Sequence, residues 1–511
     1  MRIGFDAEKK QMPTNEYIDW LGFQQLDRRK FLENTGKILT GSIFSNPILK
    51  QIIQFHNGIK PRIAIIGAGI AGLNALHTFK KNGFDATVYE SSNRVGGRIF
   101  TAQNAMGDNT WTEFGGEFID SDHKDILSLA EEFELGILDT LQSSEKKLNT
   151  EAFFFGKRYR TMAEVVEGFR KILPKMKEVS DSLPENIDFR TKDPIAIKFD
   201  NLSMEEYLQS LDGDKWIIDL IKAAYEPEFG LDAADQSSLN LITLLTSDTS
   251  KDEIDLFGES DERFKIIGGN QSIPNALAKK YENNIELNLV LTSIRVEGEN
   301  YFLSFSNKKE EVKADFTLVT IPFTKLREVD IKISLPDAKR SSINTLGYGI
   351  NSKFMLGFNE HTWRKQGYAG LVYSDIGVCN GWDNTQLQTL DSNTAGLTVL
   401  LAGSQSLELK KRTLAENRDR YLPLWEQIYA DLSIKHNGKM AQMIWETYPH
   451  TKASYICYKP GQYTSICGLE FENVGNLHFA GEHCGGKFSG YMNGAARSGR
   501  EAAEAIIKKI N

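Results

Sequence analysis

The stretch "PRIAIIGAGIAGLNALHTFKKNGFDATVYE", residues 61–90, constrains this chain more than any other. Four β-forming apolar residues, Ile63 to Ile66, run into Gly67-x-Gly69-x-x-Gly72. A helical pattern through Leu73, Leu76 and Phe79 follows, Gly83 stops it, and "ATVYE" reads as a second strand ending at Glu90. Gly67 permits the tight turn, Gly69 lets the backbone approach a pyrophosphate, and Gly72 lets helix and strand pack closely. Free N–H groups at the start of the helix, around Ala71, and the positive end of its dipole suit phosphate. Glu90, 23 positions beyond Gly67, can accept bonds from both ribose hydroxyls and would repel a 2′-phosphate. The unit predicts an α/β fold that takes an adenine dinucleotide, FAD or NAD rather than NADP.

At 511 residues the chain is long enough for two or three domains. Its net charge of −9, with 60 basic and 69 acidic residues, argues against a nucleic-acid partner. Cysteines at 379, 457, 467 and 484 show no CxxC spacing, so neither a zinc nor a dithiol motif is indicated and no metal is expected. No apolar run of 18 residues exists, so no membrane span is expected. The segment "DRRKFLENTGKILTGSIFS", residues 27–45, carries Arg28-Arg29 ahead of a modestly apolar stretch. It reads either as a twin-arginine export signal or as an amphipathic N-terminal helix, and localisation, exported or cytoplasmic, follows that choice.

Three further stretches carry a resemblance. "SSNRVGGRIFT" follows Glu90, "WTEFGGEFI" begins at Trp111, and "NLHFAGEHCGGKFSGYMNGAARSGREAAEAI" spans residues 476–506. Together with the first motif they resemble the flavin amine oxidase superfamily, which includes monoamine, polyamine and L-amino-acid oxidases. The resemblance implies that Gly97 and Arg98 lie along the dinucleotide and that Gly115 and Gly116 approach the isoalloxazine ring. It implies that Gly481 and Glu482 contact the ribityl or pyrophosphate region, and that Gly490, Tyr491 and Met492 open a helix aimed at the flavin pyrimidine. Leu291 would supply an adenine-side contact. The implied architecture is a Rossmann-like FAD-binding domain (60–135, 250–325 and 440–511) interleaved with an α+β substrate-binding domain (136–249 and 326–439), behind an N-terminal segment 1–59.

"INSKFMLGF", residues 350–358, alternates like a strand, with Ile350, Ser352, Phe354 and Leu356 on one face. Taken alone, Lys353 on the other face would snorkel to water. The resemblance instead implies that Lys353 holds a water at flavin N5 and that Trp445 packs near the ring. Covalent members of the family carry a cysteine eight residues before the glycine of a Pro-Gly pair; Ala453 stands there before Gly461, so FAD is expected to be non-covalent. Tyr491 matches one tyrosine of the family's substrate cage. Ser454 occupies the position of the other, with Tyr455 able to shift in. The expected catalytic set is Lys353, Tyr491 and Trp445, and the expected substrate contacts are Glu117, Tyr491 and Ser454.

The chemistry so implied is oxidation of an amine C–N bond to an imine, with O2 reduced to H2O2. Gly116 to Asp120 contains no arginine of the kind many L-amino-acid oxidases use to hold a carboxylate, which favours an amine. Glu117 and Asp120 are then candidates for a second cationic group, and Arg263 or Arg364 for a carboxylate. The alternatives are an L-amino-acid oxidase of the same fold, a carotenoid- or porphyrinogen-type desaturase, and a flavoprotein serving as a binding subunit. Expected partners are a small amine or amino acid and O2, with a homodimer left open.

Overall fold

The strand Ile63–Ile66 is buried along its whole length because parallel neighbours flank it on both sides. In the computed structural model, which describes residues 60–245, 252–388 and 394–511, it is the middle of a five-stranded sheet. The order is Leu477–Phe479, Phe316–Val319, Ile63–Ile66, Ala86–Tyr89, Ile285–Glu286, and every pairing is parallel. Such a sheet needs cover on both faces, which explains the continuous apolar runs. The helix Ile70–Lys81 follows the glycine turn as expected. The C-terminal helix Met492–Ile510 packs on it, and Gly499 permits the contact: a Cβ there would lie 2.0 Å from the Ala71 carbonyl oxygen. Asn74 Nδ2 donates across the same seam to the Ala496 carbonyl at 2.8 Å.

The expected meander between 284 and 322 forms. Leu291–Glu297, Asn300–Phe305 and Lys308–Ala314 pair antiparallel, Asp330–Lys332 adds a parallel edge, and Phe316–Val319 returns the chain to the first sheet.

A seven-stranded mixed sheet forms from later and earlier segments together, in the order His436–Ile444, Ser352–Phe358, Ala395–Leu401, Asn380–Asp383, Tyr368–Ser374, Asn149–Phe155, Arg158–Arg160. The strand Ser352–Phe358 lies second in this sheet, and all seven of its residues are buried. One face packs on the helix Leu414–Ile428, where Phe354 meets Tyr421 at 5.4 Å between ring centres. The helix Met162–Ser182, read from "MAEVVEGFRKILPKMKEVSDSL", starts at a Thr161–Glu164 capping box.

Residues 62–511 gather into one compact unit. No helix among the described residues is long and apolar enough to cross a membrane. The Arg28-Arg29 segment lies outside the described residues.

Candidate active site

The first glycine turn builds a cradle for a dinucleotide. Gly67 has φ +107°, and a Cβ at Gly72 would sit 2.0 Å from the Gly67 carbonyl oxygen. Gly69 differs: a Cβ there would meet no atom within 4 Å, and no side chain caps the helix that starts beside it. The unspent N–H groups of that first turn therefore face open space, as an anion requires. The Glu90 carboxylate is held by the N–H groups of Ala68 and Ser92, both at 2.8 Å. The Leu289 N–H donates to the Glu90 backbone carbonyl at 2.8 Å, which ties the chain just ahead of the strand Leu291–Glu297 to the residue that carries this carboxylate. The residues present fit an adenine dinucleotide with free ribose hydroxyls.

The second motif locks onto the last one. Arg98 Nη1 donates to Glu482 Oε1 at 2.8 Å and also to the Ser454 carbonyl. Glu482 Oε2 accepts from the N–H groups of Gly490 at 3.1 Å and Ile456 at 3.2 Å. One carboxylate thus joins three loops that sequence order keeps far apart. Gly97 touches Gly69, since a Cβ on Gly97 would lie 3.3 Å from the Gly69 Cα. The Gly115-Gly116 pair is closed in just as tightly. A Cβ on Gly115 would fall 1.7 Å from the Arg98 carbonyl oxygen and 3.2 Å from the Trp445 ring, and one on Gly116 2.7 Å from Met492 Cγ. Trp445 Nε1 donates to the Phe114 carbonyl at 3.0 Å, so the indole is fixed against this backbone. Tyr491 is the N-cap residue of the C-terminal helix.

Lys353 does not snorkel. Its Nζ is buried and donates to the Glu113 carbonyl at 3.0 Å, the Gly115 carbonyl at 2.9 Å and Glu117 Oε2 at 2.8 Å. These three bonds use all three ammonium protons. Glu117 also accepts from Lys265 Nζ at 2.7 Å and Trp382 Nε1 at 2.9 Å. Burial works to raise the Glu117 pKa, but the two ammonium groups outweigh it and leave the carboxyl below its usual range. Glu117, the expected substrate contact, is thus bonded to Lys265, Lys353 and Trp382, and through Lys353 it is tied to the Glu113 and Gly115 carbonyls.

Ser454, the other expected contact, also has a partner within the chain. Its Oγ donates to Asn351 Oδ1 at 2.6 Å in a buried position. Tyr455 is the neighbour that shares surroundings with Tyr491, because Glu228 and Glu262 act electrostatically on both. The Tyr491 hydroxyl donates to Glu228 Oε1 at 3.2 Å, and its ring meets the His123 ring edge-on at 5.2 Å. Asp120, His123 and Asp122 bring ligand-type atoms within 4.8 Å of one another. His123 Nδ1, however, accepts from the Asp120 N–H at 3.0 Å, so Nε2 carries the proton and is not free to bind a metal. Asp120 Oδ1 is itself taken up by the Glu262 N–H at 2.9 Å. Neither arginine considered for a carboxylate is available: Arg263 pairs with Asp139 at 2.8 Å and Arg364 with Glu145 at 2.7 Å.

Glu228, Glu262, Lys265 and Trp382 escape sequence reading. Glu228, Glu262 and Trp382 lie in segments without a motif, and Lys265 stands three residues before the pair Gly268-Gly269 in "KIIGGNQSIPNALA", residues 265–278.

The comparisons with known proteins agree with this geometry. The profile of the family described as flavin containing amine oxidoreductase matches residues 70–507. A flavin-containing amine oxidase of Oncorhynchus mykiss is 23% identical over 462 residues, 88% of this chain and 86% of that protein. An L-amino-acid oxidase of Pseudechis australis is 24% identical, covering 99% of this chain and 94% of that one. Among solved structures, a cyclohexylamine oxidase from Brevibacterium oxydans superposes with a TM-score of 0.76 at 19% identity, over 88% of this chain and 99% of that one. A putrescine oxidase does so with a TM-score of 0.75 at 18% identity and the same coverage. The matched span runs from the helix behind the first glycine turn to the helix that Tyr491 caps, and with it the chain belongs to the flavin-containing amine oxidoreductase family.

Proposed function

We propose that the chain is an FAD-dependent oxidase that converts an amine C–N bond to an imine, hydrolysed to a carbonyl product and ammonia, and returns the electrons to O2 as H2O2. The bound flavin supplies the hydride acceptor and the route to oxygen. The observation that carries the reading is the convergence of Lys353, Trp445 and Met492 on the Gly115-Gly116 backbone, with Tyr491 opening the helix beside it. Residues 60–135, 250–325 and 440–511 form the Rossmann-like FAD domain in this reading, and 136–249 with 326–439 the substrate domain.

Each residue has a task that its geometry supports. Gly67, Gly69, Ala71, Gly72 and Glu90 hold the adenine half, with Leu291 behind it. Gly97, Arg98, Gly481, Glu482 and Gly490 hold the pyrophosphate and ribityl stretch. Lys353 steadies the Glu113–Glu117 segment, and exchanging a carbonyl partner for a water lets it serve the flavin N5 edge. Tyr491 and Tyr455 supply aromatic faces that favour a neutral, reactive amine over an ammonium. Ala453, where covalent members place cysteine, leaves FAD non-covalent.

An amine is favoured over an amino acid because Arg263 and Arg364 already hold carboxylates of this chain. The L-amino-acid oxidase reading keeps second place on the strength of the Pseudechis australis relative, which matches nearly the full chain. A peroxide assay over monoamines, polyamines and the L-amino acids decides between them. Peroxide with amines alone is the expected outcome; peroxide with L-amino acids alone moves the chain to the second reading, and silence with both sinks the two. Acid precipitation should release all the flavin into the supernatant, and yellow colour on the pellet would refute non-covalent binding.

A further inference from the structure

Glu132, Glu328 and Glu360 each pair with two lysines: Lys81 and Lys280, Lys325 and Lys452, Lys365 and Lys435. Their side chains are 32%, 42% and 27% exposed, so water screens the excess charge. Glu117 also pairs with two lysines, but out of reach of water. Lys265 Nζ stands 2.7 Å from its Oε1 and Lys353 Nζ 2.8 Å from its Oε2, and the side chains of Lys265, Lys353 and Glu117 are 5%, 8% and 3% exposed. One carboxylate neutralises one ammonium, so the group keeps a net positive charge in a medium that screens it poorly. The two carboxyls that also meet Glu117, those of Glu113 and Glu262, leave that charge in place at pH 6. Burial pushes their pKa values up to about 7 and about 8, so both then hold their protons.

Backbone pairing brings Lys265 to this place, independently of its charge. Ile119 and Phe264 exchange N–H···O bonds in both directions at 2.8 Å, which lays the strand Phe264–Ile266 along the segment that follows Gly115-Gly116. Asn270 Nδ2 fastens the same segment by donating to the Gly116 and Glu117 carbonyls at 3.0 and 2.8 Å. Lys353 Nζ donates to the Gly115 carbonyl at 2.9 Å, so the charged group touches the backbone that the reading above sets against the flavin. Trp382 Nε1 adds a neutral bond to Glu117 at 2.9 Å. Aromatic faces take some of the place of water: Lys353 Nζ is 5.1 Å from the Trp382 ring centre and Lys265 Nζ 4.5 Å from that of Phe118. One lysine would satisfy Glu117 with no net charge, so the second is surplus to what a buried ion pair needs.

Resting on the FAD-dependent reading above, we propose that Lys265 is a positioning residue for the oxidation: by sharing Glu117 it leaves the Lys353 ammonium only partly neutralised, and the surplus charge behind Gly115-Gly116 favours the negatively charged, reduced flavin. A hydride leaving the amine carbon carries two electrons and one proton. The neutral amine becomes an iminium cation, and the flavin gains one negative charge. A fixed cation in a poorly screened place lowers the cost of that charge without moving when it appears. Lys265 needs no contact with substrate or cofactor for this, since it acts through Glu117 on Lys353.

The test is the two-electron midpoint potential of the FAD-loaded protein at pH 6, read by equilibration with a redox dye, for the wild type, Lys265→Met, Lys265→Arg and Trp382→Phe. Without Lys265, Glu117 still pairs with Lys353, so the ion pair survives and the surplus charge is what goes. In Lys265→Met the preference for reduced over oxidised FAD should fall about tenfold or more, a drop of about 30 mV. Lys265→Arg keeps the charge and should restore most of the potential. Trp382→Phe removes a bond to Glu117 but no charge, and should leave the potential where it is. An unmoved potential in Lys265→Met, or an equal drop in Trp382→Phe, overturns the proposal. A wild-type potential at or below that of free FAD overturns it even if a variant fails to retain the cofactor. The measurement needs no substrate, so it fails separately from the oxidase reading, which the peroxide assay decides.

Discussion

Glu117 and Glu262 sit within electrostatic reach of each other and have opposite fates. Glu117 is buried against two ammonium groups and an indole N–H, its pKa is lowered, and it holds a backbone segment in place. Glu262 has no cation of its own, its pKa is raised to about 8, and its backbone is held at φ +42°, a left-handed conformation rare for its side chain. A buried carboxylate that the chain pairs is architecture. One that the chain leaves unpaired keeps its proton instead, because desolvation disfavours the charged form.

The largest test of this contrast removes the paired carboxylate. Glu117→Gln strands Lys265 and Lys353 as buried charges and should destabilise the protein by about 3–5 kcal/mol in denaturant unfolding. Unchanged stability would deny Glu117 this structural role. Lys353→Met is expected to cost less, about 1–3 kcal/mol, because Lys265 still neutralises Glu117 while two carbonyl groups lose a donor. Turnover should also slow, and identical rates in both half-reactions would remove Lys353 from the flavin edge.

The paired and the unpaired carboxyls also predict opposite responses to pH. Glu228, Glu262 and Glu151 hold protons that the unfolded chain gives up near 4.5, so their contribution to stability is full below that value and is lost as pH rises through about 7–8. Each adds a slope of about 1.4 kcal/mol per pH unit within that window. Glu117, lowered, stabilises above 4.5 and loses its share as pH falls through its folded value. Unfolding of Glu262→Gln across pH 5–8 should show a flatter alkaline decline than wild type and an unchanged acid limb; parallel curves would deny Glu262 its raised pKa. The smallest effect expected is for Tyr491→Phe, which deletes one hydroxyl and the 3.2 Å bond to Glu228, a loss of about 0.5–1.5 kcal/mol. Its signature is a further rise in the Glu228 pKa, readable by infrared difference at the carboxyl band.

Much of the cofactor side is legible in the sequence, and little of the substrate side. Gly67, Gly69 and Gly72 announce themselves because a turn and a close helix approach admit only glycine at fixed spacing, and Glu90 follows at the end of the adjoining strand. The strand Ser352–Phe358 is equally readable from its alternation. Its lysine is not, because the partner carbonyls and Glu117 lie more than 230 residues upstream. Ser454 shows the limit of matching by position: its hydroxyl goes to Asn351, while that of the next residue, Tyr455, goes to the Pro227 carbonyl.

What the sequence determined by itself is the local backbone: which turns need glycine, which runs are buried strands, and where a phosphate-binding helix begins. These follow from short-range sterics and hydrogen bonding, which act within a few residues. Only the tertiary structure decided which carboxylates are paired. Glu117 finds Lys265 and Lys353, whereas Glu228, Glu262 and Glu151 converge from three other segments and find no cation. Charge compensation in a buried site depends on distances of a few ångströms between groups that chain order does not bring together.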